Sequence, residues 1–195
     1  MSGVPRETAM RVVADLLADE IVVAGLGAPC RYLSHLKPRG GTFYLADAMG
    51  LPIPLGLGLA VARPRERVLV LDGDGALLMQ VGALATVASA RVRNLTICIF
   101  NNDVYEASGG QPLPAAPVDY PGLARSCGLE ARPMIETEAA LRAELARSLR
   151  GGATTFLCVR TPYDPSEAIP PYITSDPLRV RDDFVRWIAS RPDDR

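Results

Sequence analysis

Short apolar runs rich in β-branched residues alternate along this chain with longer stretches whose apolar positions recur every three or four residues. The first long stretch, residues 6–20, sets Ala9, Met10, Val12, Val13, Leu16 and Leu17 on one side of a helix. Residues 21–24 follow as a buried strand, broken by Gly25-Leu26-Gly27-Ala28-Pro29. A second short strand is expected over 42–45, and Ala46-Asp47-Ala48-Met49-Gly50 leads from it into a glycine-containing apolar helix over 51–62. Residues 68–71 are the clearest buried strand and run directly into Asp72-Gly73-Asp74-Gly75. A helix over 76–90 and an apolar strand over 95–100, stopped by Asn101-Asn102, come next. A helix over 136–149 carries Leu141, Leu145 and Leu149 at four-residue spacing, and a strand over 154–159 is the last strong one. Residues 162–177 read as a proline-rich extended tail, and 181–190 as a short terminal helix.

Strands that are apolar on both faces, with helices between them, imply a mainly parallel sheet covered on two sides. The expected fold class is therefore α/β, a three-layer α/β/α arrangement in one domain over 1–195, with 160–195 as its tail and terminal helix. Ligands of such sheets bind beyond the carboxyl ends of the strands. That directs attention to residues 25–31, 46–50, 73–76 and 101–111.

Composition narrows the function classes. Nearly half of the residues are apolar and the net charge is −1, with no basic stripe, so the electrostatic footprint of a nucleic-acid binder is missing. The longest apolar run, 51–62, is too short for a membrane span and carries Pro52 and Pro54. The first residues lack the charged start, apolar core and cleavage site of a secretory leader. Cys30, Cys98, Cys127 and Cys158 are scattered without zinc-site spacing and read as reduced thiols of a cytoplasmic protein. His35 is the only histidine, and nothing near it supports a protease-like triad.

Two of the four loops carry chemistry. Gly73-Asp74-Gly75 sits at a strand end and opens a helix, where glycines and free N–H groups suit a phosphate. Asp74 places a carboxylate where that anion would sit, which is unfavourable unless a cation bridges the two. Mg²⁺, a hard ion that prefers carboxylate, amide and phosphate oxygens, would do so. Asn101-Asn102, at the end of the next strand, can offer a side-chain oxygen to the same ion. A Gly-Asp-Gly alone is common in turns; the two loops gain meaning from their placement in adjacent βα units.

Gly73-Asp74-Gly75, followed by residues 76–100 and then Asn101-Asn102, resembles the fingerprint of thiamine diphosphate (ThDP) enzymes, usually written GDG, some 25 residues, then NN. The resemblance implies that Asp74 and Asn102 coordinate Mg²⁺ through their side chains and Val104 through its carbonyl. It implies further that Gly73, Gly75 and Ala76 meet the diphosphate, the last two through N–H groups. Gly27 and Ala28 would approach the same group, Met49 would be the apolar wedge under the bent cofactor, and Tyr105 would join the cofactor contacts. The segment ending Gly109-Gly110-Gln111-Pro112 looks most like phosphonopyruvate and sulfopyruvate decarboxylases, and Asp176-Pro177-Leu178 with Asp183-Phe184 resembles the tail of small subunits in that group. Asp103-Val104 stands where relatives often carry a glycine and a small residue, and Tyr105-Glu106 replaces a His-Asp pair.

In this family the glutamate that activates the cofactor lies in a second, pyrimidine-binding domain, for which 195 residues leave no room. The resemblance thus implies a partner chain carrying that domain, most simply in an α2β2 assembly. The surfaces around 49–62 and 76–90 are the candidate interface. The expected function is the diphosphate- and Mg²⁺-binding subunit of a decarboxylase acting on a small 2-oxo acid such as sulfopyruvate or phosphonopyruvate. One rival is the subunit of a ThDP-dependent carboligase. The other is a non-catalytic partner-binding module that keeps the fold, in which an unpaired buried acid at 74 would have no place. Smaller readings stay open: Gln111 contacts substrate or caps a turn, Arg31 binds an anion or lies at the surface, and Glu106 is a catalytic acid or a solvated loop carboxylate.

Overall fold

The computed structural model describes residues 2–45, 47–113, 117–171 and 176–192. Ala46, within the loop expected to hold the cofactor, and residues 172–175, within the expected tail, lie outside the described residues. The elements in chain order are α1 (Arg6–Leu16), β1 (Ile21–Ala24), α2 (Ala28–Leu36), β2 (Thr42–Tyr44), α3 (Pro52–Ala62), β3 (Val68–Gly73) and α4 (Asp74–Met79). They continue with α5 (Ala83–Ala90), β4 (Leu95–Asn101), β5 (Val104–Tyr105), β6 (Gln111–Pro112), α6 (Tyr120–Ser126), β7 (Glu130–Ala131), α7 (Glu138–Ser148), β8 (Thr155–Arg160) and α8 (Pro177–Ala189).

Six strands form one sheet in the order β2-β1-β3-β4-β8-β7, and every pairing is parallel. Alternate residues of the central strands divide between two cores. Val22, Leu69, Leu71, Cys98, Leu157 and Val159 meet α1, α2 and α7 on one side. Val23, Val68, Val70, Ile97, Ile99, Phe156 and Cys158 meet α3 to α6 and α8 on the other. The expected α/β sheet, covered on both faces, is present.

Several boundaries differ from the sequence reading. α1 ends at Leu16 because Leu17 turns extended and Glu20 accepts the Ala18 N–H at 2.7 Å. α2 was not expected: Gly27, at φ +89°, is its N-cap, and Pro29 sits in its first turn, where a missing N–H costs nothing. The single helix expected over 76–90 is two, α4 and α5, separated by a turn at 80–82, and Asp74 already belongs to the first. The β5–β6 hairpin, α6 and the two-residue edge strand β7 carry too little periodicity to be read from the chain. α8 begins at Pro177, four residues earlier than expected, with Asp176 capping the Leu178 and Arg179 N–H groups.

The tail closes over the first half of the fold. Phe184 meets Phe43 edge to face at 5.2 Å, and Arg191 lies 4.5 Å from the centre of the Trp187 ring. A side chain on Gly40 or Gly41 would strike that ring, at 2.9 and 2.6 Å. On the opposite face of the sheet, the Arg31 guanidinium donates to the carbonyls of Ile169, at 3.0 Å, and Pro170. That guanidinium therefore ties the tail to α2. No helix among the described residues is long and apolar enough to cross a membrane.

Helix α3 rests on the sheet through Gly56, where a methyl group would strike Val70, whereas one on Gly58 would meet nothing within 4 Å. Gly56→Val should therefore destabilise the chain by about 1–3 kcal/mol by overpacking. Gly58→Ala should stabilise it by up to about 1 kcal/mol through helix propensity. Denaturant melts of the two variants should shift in opposite directions.

Candidate functional site

Parallel register brings the carboxyl ends of β3 and β4 side by side, with Gly73 opposite Phe100. Asp74, the next residue, opens α4 with only 2% of its surface exposed. Its carboxylate does not stand alone, contrary to the expectation of an unpaired acid. Oδ2 accepts hydrogen bonds from Asn101 Nδ2 at 2.6 Å, the Asn102 N–H at 3.0 Å and the Asp103 N–H at 2.8 Å. Oδ1 accepts the Gly75 N–H at 2.8 Å, so one of the two N–H groups expected to face a phosphate is engaged by Asp74 itself. Burial raises the Asp74 pKa, and these bonds work against that rise.

Two consecutive N–H groups reach one oxygen because Asp103 adopts φ +61°, a left-handed conformation that costs little for glycine or Asp and more for bulkier side chains. This accounts for an aspartate being tolerated at that step. The turn is braced from outside. Asn101 Nδ2 also donates to Asp103 Oδ1 at 2.7 Å, and Arg160 bonds Asp103 Oδ2 at 2.5 Å and Asn101 Oδ1 at 2.7 Å. Asn101, 1% exposed, is thereby committed to holding the loop. Asn102 is half-buried; its Oδ1 accepts the Val104 N–H at 3.1 Å and its Nδ2 donates to Glu106 at 3.1 Å.

The other expected residues divide into two groups. Tyr105 lies against Gly75, where an added Cβ would be 2.7 Å from its ring. Gly50, at φ +79°, abuts α4, where a Cβ would come within 3.0 Å of Gln80 Cβ and 3.6 Å of the Ala76 carbonyl. Met49, the residue before Gly50, is half-buried. Gly27 and Ala28 stand at the start of α2, beyond the end of β1; a Cβ on Gly73 would meet nothing within 4 Å among the described residues. Gln111 is exposed and tied to Ser108 through both ends of its amide, at 2.8 and 2.9 Å, which makes it a turn cap here.

Glu106 is not the solvated carboxylate that a loop position suggests. It forms an ion pair with Arg6, itself 5% exposed, and Arg6 Nη2 reaches Glu167 at 2.8 Å. Arg6, Glu167 and Arg160 are thus part of the site's support although the sequence pattern gave them no role. The one local signal was an arginine in the first turn of α1, the end of a helix that disfavours a cation.

Residues 27–159 match the family described as thiamine pyrophosphate enzyme, C-terminal TPP binding domain. The chain belongs to that family. It is 32% identical to the sulfopyruvate decarboxylase subunit beta of Methanothermobacter thermautotrophicus, over 97% of this chain and 98% of that one. It is 40% identical over 121 residues to a phosphonopyruvate decarboxylase of Streptomyces viridochromogenes, but covers only 30% of that protein. Among solved structures, a putative thiamin diphosphate-dependent enzyme of Mycobacterium smegmatis superposes with a TM-score of 0.73 at 21% identity, over 83% of this chain and 32% of that one. The 4-hydroxybenzoylformate decarboxylase of Rhodococcus jostii RHA1 gives 0.72, also at 21%, over 85% of this chain and 34% of that one. These two likenesses concern the fold.

Beside Asp74 lies a second buried acid. Asp72, 1% exposed, accepts the Gly73 N–H at 2.9 Å, and its Oδ2 has no partner among the described residues. Burial pushes its pKa up to about 7, and the charge of Asp74 adds to this. Between the ordinary carboxylate range and pH 7 the folded chain therefore holds a proton that the unfolded chain has lost, so stability falls as pH rises. Without ligands, the stability of the chain should drop across this window by up to about 1.4 kcal/mol per pH unit from Asp72. Asp72→Asn should flatten that slope in urea melts run from pH 4.5 to 7.5.

Proposed function

We propose that this chain is the diphosphate- and Mg²⁺-binding subunit of a two-component, ThDP-dependent decarboxylase acting on a small 2-oxo acid. The observation that carries the reading is the buried Asp74 carboxylate at the start of α4, wrapped by the loop that bears Asn102 and Val104. The donor set fits a hard cation: a carboxylate, an amide oxygen and a backbone carbonyl. Val104 and Pro112 form a non-hydrogen-bonded pair of the β5–β6 ladder, flanked by the bond from the Leu113 N–H to the Asp103 carbonyl, so the Val104 carbonyl points away from β6. A side chain on Gly73 would meet nothing among the described residues within 4 Å, and backbone open in this way lets a diphosphate come close.

In this reading Asp74, Asn102 and the Val104 carbonyl are the residues that would hold Mg²⁺, which would supply positive charge for the diphosphate. Asn101 and Arg160 keep the loop closed on Asp74. Gly73, Gly75 and Ala76 bring backbone close to the phosphates, Tyr105 covers Gly75, and Met49 shapes the apolar side of the site. When bound, ThDP supplies the nucleophilic carbon and the electron sink that let a 2-oxo acid lose CO₂. Relatives named sulfopyruvate and phosphonopyruvate decarboxylase support decarboxylation over ligation, and favour substrates with a second anionic group.

A pyrimidine-binding partner chain is supported by the end-to-end match to proteins named subunit beta. The surface offers a place for it: Leu51, Val61, Met79 and Val81 are large apolar side chains left between 38% and 58% exposed on α3 and around the α4–α5 turn. An α2β2 assembly in the cytoplasm is the simplest form.

Asp74→Ala should abolish Mg²⁺-dependent ThDP binding by the chain purified with its partner, as read by calorimetry. Stability should fall by about 1–3 kcal/mol, because the buried donors lose their acceptor, with the fold retained by circular dichroism. ThDP binding that survives in this variant with its Mg²⁺ dependence unchanged would falsify the metal site.

A further inference from the structure

We infer that Glu106 is a positioning residue for the metal site, fixing which end of the Asn102 amide faces the cation. The inference rests on the reading of Asp74, Asn102 and Val104 as metal ligands. A side-chain amide has one end that accepts and one that donates, and only the oxygen can bind a metal. Here Asn102 Nδ2 donates to Glu106 Oε2 and Asn102 Oδ1 accepts the Val104 N–H, both at 3.1 Å. A carboxylate only accepts and a backbone N–H only donates, so a single orientation satisfies both neighbours. The reversed amide would set oxygen against oxygen and N–H against N–H. In the satisfied orientation Oδ1 keeps a second lone pair for a hard cation.

Glu106 is itself held. Its Oε1 is paired with Arg6, which is buried and carries Glu167 on its other terminal nitrogen at 2.8 Å; Glu167 in turn accepts the Tyr32 hydroxyl at 2.6 Å. Burial works against the charge of Arg6, and its bonds to Glu167 and Glu106 more than offset that, so its pKa is raised and it stays a pure donor. A chain of polar contacts thus runs from α2 and the tail, through the first turn of α1, to the amide of Asn102. Partners of this kind set ligand orientation, and their loss typically costs about 10- to 100-fold in metal affinity.

The test exploits the asymmetry of the amide. Mg²⁺ is titrated at fixed ThDP into the full chain with its co-purified partner, and ThDP binding is followed by calorimetry alongside thermal melts. In Glu106→Gln, Arg6 takes the one remaining side-chain oxygen and turns the new NH2 toward Asn102, which reverses that amide. The Mg²⁺ midpoint should therefore rise by about 10- to 100-fold, at least as far as in Glu106→Ala, and binding should recover at high Mg²⁺. Adding Asn102→Asp to Glu106→Gln should bring the midpoint back toward wild type, because a carboxylate accepts at both ends. A role confined to packing predicts the reverse: the isosteric Gln milder than Ala, and no rescue. Either of those results, or an unchanged midpoint in Glu106→Gln, overturns the inference. If Asp74→Ala still abolishes binding in that case, the metal-site reading stands without it. Wild-type ThDP binding that ignores Mg²⁺ would remove both.

Discussion

A carboxylate buried to the degree of Asp74 has to be surrounded by donors, because an ion moved out of water without them is costlier than the fold can bear. Three N–H groups from residues 101–103 and one from Gly75 meet that demand. To deliver them, the chain must leave β4 in a tight turn, take a left-handed step at Asp103, and run into the β5–β6 hairpin. That path sets Asn102 and Val104 beside Asp74 and lays Tyr105 on Gly75. The acid therefore organises the loop as well as serving the proposed cation.

Support for this arrangement comes from distant parts of the chain. Arg160, at the end of β8, spans Asn101 and Asp103, and Arg6, at the start of α1, joins Glu106 to Glu167 in the tail. Each guanidinium bridges two acceptors, a use to which its planar fork is suited. Arg6 is buried, so removing Glu106 or Glu167 leaves its charge less compensated, whereas the half-exposed Arg160–Asp103 pair holds the loop mainly by its geometry. The same tail carries α8 back over β2, so the segment that closes the site also covers an edge of the sheet.

The sheet explains how loops far apart in the chain come to one place. Its strands bury both faces, and its parallel order puts every carboxyl end on one rim. The loops after β1, β3 and β4 then converge without a second domain. The apolar side chains left open on α3 and at the α4–α5 turn are the surface on which the proposed partner chain would dock.

Much of this was legible in the chain. Two-faced apolar strands determined a parallel α/β sheet, and Gly73-Asp74-Gly75 with Asn101-Asn102 at successive strand ends marked the family and the candidate site, because these patterns are local and the spacing sets which loops are neighbours. Short elements such as α2, β5, β6 and α6 escaped, since a few residues carry no period and their form is imposed by what they pack on. The partners of Glu106 and Asn101 escaped for a different reason. Arg6, Arg160 and Glu167 are charged residues that look solvated in sequence; only the tertiary fold brings them within bonding distance, across separations of 59 to 161 residues. Composition and pattern determined which fold forms and which acid lies at its rim; the folded chain decided which buried charges face each other, because pairing depends on distance in space.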